Sequence, residues 1–399
     1  MLNYPIKNTF VDNQISICRG DWMMTKEKLG NLCDVLNGYA FKSSKYVKDG
    51  IRVIRITNVQ KGIIEDSDPK YYPIDEKENL KNYLLCENDL LISLTGNVGR
   101  VGLLGRELLP SALNQRVGCL RIKDKNKISM RYLFQALNSN RFELECINSS
   151  KGIAQKNLST EWLKEYEISI PSMEEQNTIA QKLENVQSII DMRKKQLEDL
   201  NNLIKSQFVE MFITNRNDSW RLKKLKEVCI FNPKKLEISN VPDDFKVSFI
   251  PMTAVTENGE IDTSDIRDYK EVNRGFTYFR ENDVLFAKIT PCMENGKGAV
   301  AINLKNKIGF GSTEFHVVRP KETMNSRWIY TLFSLSFFRN EAEKNMTGSA
   351  GQKRVPIKFI ENYEIFVPPI ELQNKFASFV EHINKLEFAI VVKMDSPNG

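Results

Sequence analysis

One segment of this 399-residue chain recurs without a gap at an offset of 197 residues, and that recurrence limits the fold more than any other feature. Gln155 and Lys156 pair with Gln352 and Lys353. Tyr166-Glu167-Ile168 pairs with Tyr363-Glu364-Ile365, and Pro171 with Pro368. Glu174, Gln176 and Asn177 pair with Glu371, Gln373 and Asn374, and Ala180 and Glu184 with Ala377 and Glu381. The shared register makes coincidence a poor explanation. Upstream the repeat is fainter. Trp22, Lys28, Leu29 and Cys33 resemble Trp220, Lys224, Leu225 and Cys229, and Glu87-Asn88-Asp89 resembles Glu281-Asn282-Asp283. The offset drifts there by a few residues, as loop insertions cause. Each copy is a globular part followed by a closing element. The globular parts have diverged, whereas the closing elements have kept one job.

The closing element reads as a helix. Ser172 followed by Glu175 is a capping box. Apolar residues then fall at Ile179, Leu183, Val186, Ile190, Leu197, Leu200 and Ile204, a heptad seam interrupted by Arg193. Running to about Met211, such a helix is roughly 55–60 Å long. The second copy starts at Pro368-Pro369 with the seam Phe376, Val380, Ile383, Leu386 and Ile390. It ends near Val392, at roughly 35 Å. Two such seams are expected to partner each other, and a two-fold relation between the repeats makes the helices antiparallel.

The globular parts read as strand-rich with some helix. Ile51–Thr57 and Val117–Ile122 alternate at period two, and Asp89–Thr95 and Asp283–Thr290 are short buried-strand candidates followed by Gly-rich turns. Met130–Phe142 and Ser326–Phe338 have amphipathic helical spacing.

Composition narrows the function. Hydrophobic residues make up 41%, with 22 Phe and 12 Tyr, enough for real cores, and no apolar run approaches the length of a membrane span. Met1 to Gly20 is polar and lacks the apolar core of an export signal. The seven cysteines are widely spaced without a Cys-x-x-Cys pair, which fits a reducing cytoplasm and no metal site. The net charge of +6 is only mildly basic. There is no Walker A pattern, and Asn232-Pro233 is followed by two lysines where an adenine methyltransferase has Pro and an aromatic residue. With only His316 and His382, histidine catalysis is thin, and His316 reads as structural. No catalytic residue is assigned.

What remains is a vocabulary for nucleic acid. Gly permits close backbone approach, Lys and Arg meet phosphates, and Asn, Gln and Arg read base edges. The first half offers Tyr39, Lys42 and Ser43; Thr95, Asn97 and Arg100; and Asn114, Gln115 and Arg116. The second offers Lys288, Thr290, Asn295, Lys297, Ser312 and Thr313. Gln155-Lys156-Asn157 and Gln352-Lys353-Arg354 form equivalent polar loops before the two helices. For these loops, a structural role in joining each half to its helix stays open.

These residues resemble the specificity subunit of type I restriction-modification systems over nearly the whole chain. Lys28–Phe41 resembles the opening of a target recognition domain, and Gly309–Val317 is similar to a common class of second recognition domain. Gly152–Leu158 followed by Ile168–Gln176 looks like the family's closing motif and central helix. The resemblance implies an α+β fold: two globular target recognition domains in pseudo-two-fold tandem, separated by two long antiparallel coiled-coil-like helices. The expected boundaries are residues 1–170, 171–213, 214–367 and 368–399. It further implies that each domain reads one half of a split target in double-stranded DNA. The helices set the gap and dock two methyltransferase subunits, and a restriction and translocation subunit joins later. The chain binds no cofactor; S-adenosylmethionine, ATP and magnesium belong to the partners. Binding by the isolated chain is expected to weaken steeply with salt. The short second helix sets apart one departure, unequal docking of the two methyltransferases. The alternatives are a stand-alone regulator of a split operator, an enzyme with unrecognised motifs, and a coiled-coil scaffold.

Overall fold

The computed structural model describes residues 25–150, 156–238, 241–349 and 351–395. The readings placed on Met1–Gly20, Trp22, Gln155 and the closing residues 396–399 lie outside the described residues. The chain divides into two compact units, one ending at Asp191 and the other beginning at Met192. That division falls inside a single helix, Met173–Val209, which continues as one π-helical turn, Glu210–Thr214.

In the first unit, four antiparallel strands lie in the order Cys33–Asn37, Val117–Ile122, Leu90–Ser93, Val101–Leu103. The second unit repeats the order with Cys229–Phe231, Phe315–Pro320, Val284–Ala287 and Gly298–Val300. Leu90, Leu91, Ile92 and Val101 are fully buried, as are Val284 and Leu285, so the central strands read as continuous apolar runs. A second sheet in each unit, three-stranded in the first and four-stranded in the second, contains one parallel pair, Ile51–Ile54 with Ser111–Leu113 and Lys246–Ile250 with Ile308–Gly311. The fold of both units is α+β.

The faint upstream repeat has a physical cause. In Glu-Asn-Asp, the asparagine takes a left-handed turn (Asn88 φ 65°, Asn282 φ 68°), a conformation asparagine tolerates better than most residues. The aspartate side chain accepts from the backbone three residues back, from Cys86 N and Arg280 N, each at 2.8 Å. It also takes a two-pronged arginine from the neighbouring strand: Arg121 at 2.8 and 2.6 Å on Asp89, Arg319 at 2.7 and 2.7 Å on Asp283. Each turn is thus locked as the chain enters its central strand.

Three sequence expectations are corrected by such side-chain bonds. The strand at Ile51–Thr57 stops at Ile54, because the Asn58 amide accepts from Arg55 N and donates to Glu65 O, turning the chain into a 3-10 helix over Ile56–Asn58. Met130–Phe142 is two helices, Met130–Leu137 and Asn140–Ser149, because the Ser139 hydroxyl caps the second by accepting from Phe142 N. Ser326–Phe338 is likewise two, Ser326–Ser334 and Ser336–Lys344, with the buried Arg339 guanidinium donating to the Phe333 carbonyl at the break.

The long helix begins as its capping box requires: Ser172 N donates to Glu175 and Glu175 N to the Ser172 hydroxyl. Its 37 residues span about 55 Å, against about 39 Å for the 26-residue helix Ile370–Asp395. The buried face is not the expected seam throughout. Where the long helix meets its own half, Gln176 and Ala180 are fully buried, one turn's edge away from Ile179 and Leu183, which are half-buried. Val186 stands 47% exposed, and Leu386 in the shorter helix 50%. Ile190, Leu197, Leu200 and Ile204 are half-buried, whereas Phe376, Val380, Ile383 and Ile390 are buried. At the far end Phe208 rests on Trp328 and Phe376, with ring centroids 5.1 and 5.4 Å away. Packing onto the globular halves, not a heptad seam, sets the buried face at these ends.

The paired glutamines explain why the closing element is kept. Gln176 Oε1 accepts from Ser129 N at 2.8 Å, and its Nε2 donates to Lys127 O at 2.9 Å and Pro171 O at 3.0 Å. Gln373 does the same with Asn325 N, Thr323 O and Pro368 O, at 2.9, 3.1 and 2.8 Å. Both side chains are fully buried, so truncation strands three main-chain groups away from water. Gln373→Ala should destabilise the unit that carries it by about 2–4 kcal/mol, read as a lower denaturant midpoint with an unchanged slope.

Candidate nucleic-acid interface

Backbone bonds stitch the polar loops of the first half into one surface. Tyr39 N donates to Leu113 O and Gln115 N to Tyr39 O, at 2.8 and 2.9 Å, joining the loops that carry Tyr39 and Asn114. Leu94 N reaches Arg116 O at 3.0 Å, Gly96 N reaches Lys156 O at 2.9 Å, and Leu158 N reaches Leu94 O at 2.8 Å. Gly38 makes this closeness possible, since a Cβ there would lie 2.2 Å from the Asn114 carbonyl oxygen.

The second half repeats the lattice. Lys288 N donates to Glu314 O at 2.9 Å, Thr290 N to Lys353 O at 3.0 Å, and Val355 N to Lys288 O at 2.9 Å. The bridge between Thr95 and Asn157 recurs between Ile289 and Arg354. Structural counterparts are therefore Leu94 and Lys288, Arg116 and Glu314, Lys156 and Lys353, Asn157 and Arg354. Main-chain bonds hold the frame whatever the side chains are, so the side chains can differ.

Candidate residues in this frame fall into two groups. Lys42, Ser43, Asn97, Gln115, Arg116, Lys156 and Asn157 are exposed, and Tyr39 is 36% exposed within an aromatic cluster with Phe41 and Tyr83. In the second half Asn295, Thr313, Gln352 and Lys353 are exposed. The others are engaged within the protein. Arg100 is drawn back to Gln60, with Nη1 donating at 2.6 Å, and lies 3.7 Å from Glu143. The half-buried Asn114 carboxamide caps Arg116 N, and Thr95 is half-buried. Lys288 Nζ donates to Thr313 O, the Thr290 hydroxyl to Glu294, and Lys297 Nζ to Met252 O. The Ser312 hydroxyl accepts from Glu314 N, and Arg354 forms a two-pronged pair with Glu314, Nε and Nη2 each donating at 2.9 Å. These bonds cross 25 to 40 positions of sequence in the cases of Lys288 and Arg354, so no local pattern reveals them.

Glu314 belongs to the polar cluster Gly311–Phe315 with Ser312 and Thr313, although its own role is not evident from that cluster. The signal lay in the repeat: its counterpart Arg116 bears the opposite charge. The hydrogen bonds from Arg354 hold the Glu314 carboxyl below the usual carboxylate range, against the opposing effect of burial. His316 has the structural place read for it. It is buried, and its Nε2 meets Val355 O at 2.8 Å, pinning the closing loop to the strand behind it. Among the described residues no group of three or more His, Cys, Asp or Glu is placed to hold a metal ion, and no helix is long and apolar enough to cross a membrane.

Comparison with known proteins bears on both halves. The family described as "Type I restriction modification DNA specificity domain" matches residues 20–202 and again 217–391. The specificity subunit of the type I restriction enzyme EcoAI of Escherichia coli is 37% identical over 187 residues, 45% of this chain and 31% of that protein. This chain therefore spans under a third of that relative's length in the match. The EcoBI specificity subunit, also of Escherichia coli, is 22% identical over 89% of this chain and 78% of its own length. Among solved structures, the S subunit of a type I restriction-modification system from M. genitalium shares 16% identity, with 95% of this chain and 96% of that one covered and a TM-score of 0.48.

The buried His316 gives the frame a pH dependence. Burial, the largest influence, lowers its pKa from 6.5 to about 4. Below pH 6.5 the unfolded chain therefore takes up a proton that the folded chain resists until about pH 4, and stability falls across that window. The expected loss is roughly 3 kcal/mol at 1.36 kcal/mol per pKa unit. Denaturation midpoints at pH 7 and pH 4.5 should differ by less in His316→Gln than in the wild type.

Proposed function

We propose, from the premise that this chain belongs to the type I restriction modification DNA specificity family, that it is the non-catalytic sequence-reading subunit of a methylating and restricting complex. One observation carries the reading. The same main-chain lattice occurs in both halves, each matched by the family, with different side chains presented on it. One activity present twice would keep its functional side chains. Two readers of different sequences keep the frame and change the readers.

In this reading residues 1–170 and 214–367 each recognise one half of a split double-stranded DNA target. The exposed donors and acceptors that differ between the halves supply direct readout: Gln115, Arg116 and Asn97 in the first half, Asn295 and Thr313 in the second. Lys42 and the paired Lys156 and Lys353, the same in both halves, are suited to phosphates, with Gln352 beside Lys353. Gln155 belongs with Lys156 by sequence. The segments 171–213 and 368–399 serve as spacers, the second through its helix Ile370–Asp395. One continuous helix sets a separation that a loop of equal length would not hold, and the exposed Val186 and Leu386 favour the helices as docking faces for two methyltransferase subunits. Adenine methylation from S-adenosylmethionine, and ATP- and magnesium-dependent translocation and cleavage by a restriction subunit, then belong to those partners, in the cytoplasm where the DNA lies.

Mapping methylated adenines across a host genome with and without this chain tests the reading. Its removal should abolish methylation of one split motif. Exchanging residues 22–160 for the matching segment of a relative should change one half of that motif and leave the other intact. A motif altered in both halves would contradict one domain reading one half. Methyl transfer by the purified chain alone would instead establish an enzyme, and sequence-specific binding with no co-purifying methyltransferase a regulator. The affinity of the assembled complex for DNA should also fall linearly with salt on logarithmic axes, and Lys156→Ala should reduce that slope by about one.

A further inference from the structure

The pair formed by Arg354 and Glu314 sits at the counterpart of Asn157 and Arg116, on a loop edge that the frame does not need it to hold. The loop Thr347–Arg354 is already tied by main-chain bonds: Arg354 N to Thr347 O at 2.8 Å, Thr290 N to Lys353 O, and Val355 N to Lys288 O. The first half builds the same lattice with an arginine and an asparagine at the two positions. A partly exposed ion pair adds little stability in any case. The pair therefore asks for a role other than closing the fold.

The donor count supplies one. A guanidinium has five N–H donors and no acceptor. On Arg354, Nε and Nη2 each give one to the two oxygens of Glu314, and Nη1 gives one to Gln352 O at 3.1 Å. Two donors remain, one on each terminal nitrogen. The arginine side chain is 42% exposed and the glutamate 25%, so the arginine is the more accessible member of the pair. Glu314 fixes the plane of the group and offsets its charge. A fixed, planar, charge-compensated fork with two donors left is poorly suited to a general phosphate clamp. It is well suited to two adjacent acceptors in one plane, which in the major groove are O6 and N7 of guanine.

We propose that Arg354, held in its plane by Glu314, reads a guanine in the half-site of the second domain. This makes Arg354 a specificity-determining residue and Glu314 its positioning residue. It rests on the reading of the chain as a two-domain DNA specificity subunit.

The test is methylation mapping with the full chain and its methyltransferase expressed together, comparing wild type with Arg354→Lys, Arg354→Ala and Glu314→Gln. Exchange of residues 22–160 first assigns each half-motif to its domain. The expected result is a G·C pair in the half read by residues 214–367, with discrimination at that pair falling roughly ten- to a hundredfold in all three variants while the other half stays strict. Arg354→Lys keeps the charge but not the fork, so it decides the matter if the other two fail to assemble. Glutamine at 314 offers one acceptor where the fork needs two, so it should relax the same position as the arginine variants. The inference is overturned if that half-motif has no G·C pair, if the variants leave the motif unchanged, or if they weaken methylation equally at every sequence, as loss of a phosphate contact would. A wild-type chain that confers no split motif sinks the underlying reading; a split motif indifferent to Arg354 sinks this inference alone.

Discussion

A buried primary amide fixes where each helix leaves its globular half. Gln176 and Gln373 accept one main-chain N–H and donate to two carbonyls, one of them on the proline region at the helix start and one on the loop before an earlier helix. Three bonds from a rigid planar group set direction as well as attachment. An apolar residue of similar volume would leave the same main-chain groups unpaired, which is the costly case for buried polar atoms. The direction in which each helix leaves its own half is set at these amides.

Beyond that joint, the two halves divide conservation from variation along a chemical line. The main-chain lattice of the polar loops depends on strand register, and register depends on the buried runs Leu90–Ile92 and Val284–Ala287. The locked turns at Asp89 and Asp283 serve the same end, with a bidentate arginine closing each. The apolar runs and both aspartates are buried. Side chains on the lattice are therefore free to change sign, as Arg116 and Glu314 do, without cost to the frame.

Much of this was legible in the residues. The repeat, the capping box at Ser172, the long helix, its shorter counterpart and the central strands all arise from local or periodic signals: a side chain bonding three residues along, an apolar stripe, a turn residue before a strand. Those signals placed the polar loops beside the right elements. They failed at Ile51–Thr57, Met130–Phe142 and Ser326–Phe338, where side-chain bonds of Asn58, Ser139 or Arg339 outweighed the periodicity.

The order of elements, the two-copy plan and the residue types at the loop edge were determined by the sequence alone, because each is written in neighbours or in a fixed offset. Only the tertiary structure decided which of those polar residues face outward. Arg100, Lys288 and Thr290 find partners inside the protein, and the partners of Arg100 and Lys288 lie tens of residues away. Tertiary structure also decided that Val186 and Leu386 leave the expected seam, and that Arg354 pairs with Glu314. A hydrogen bond across such a separation depends on how strands align, and strand alignment is a property of the packed whole, not of any window of sequence.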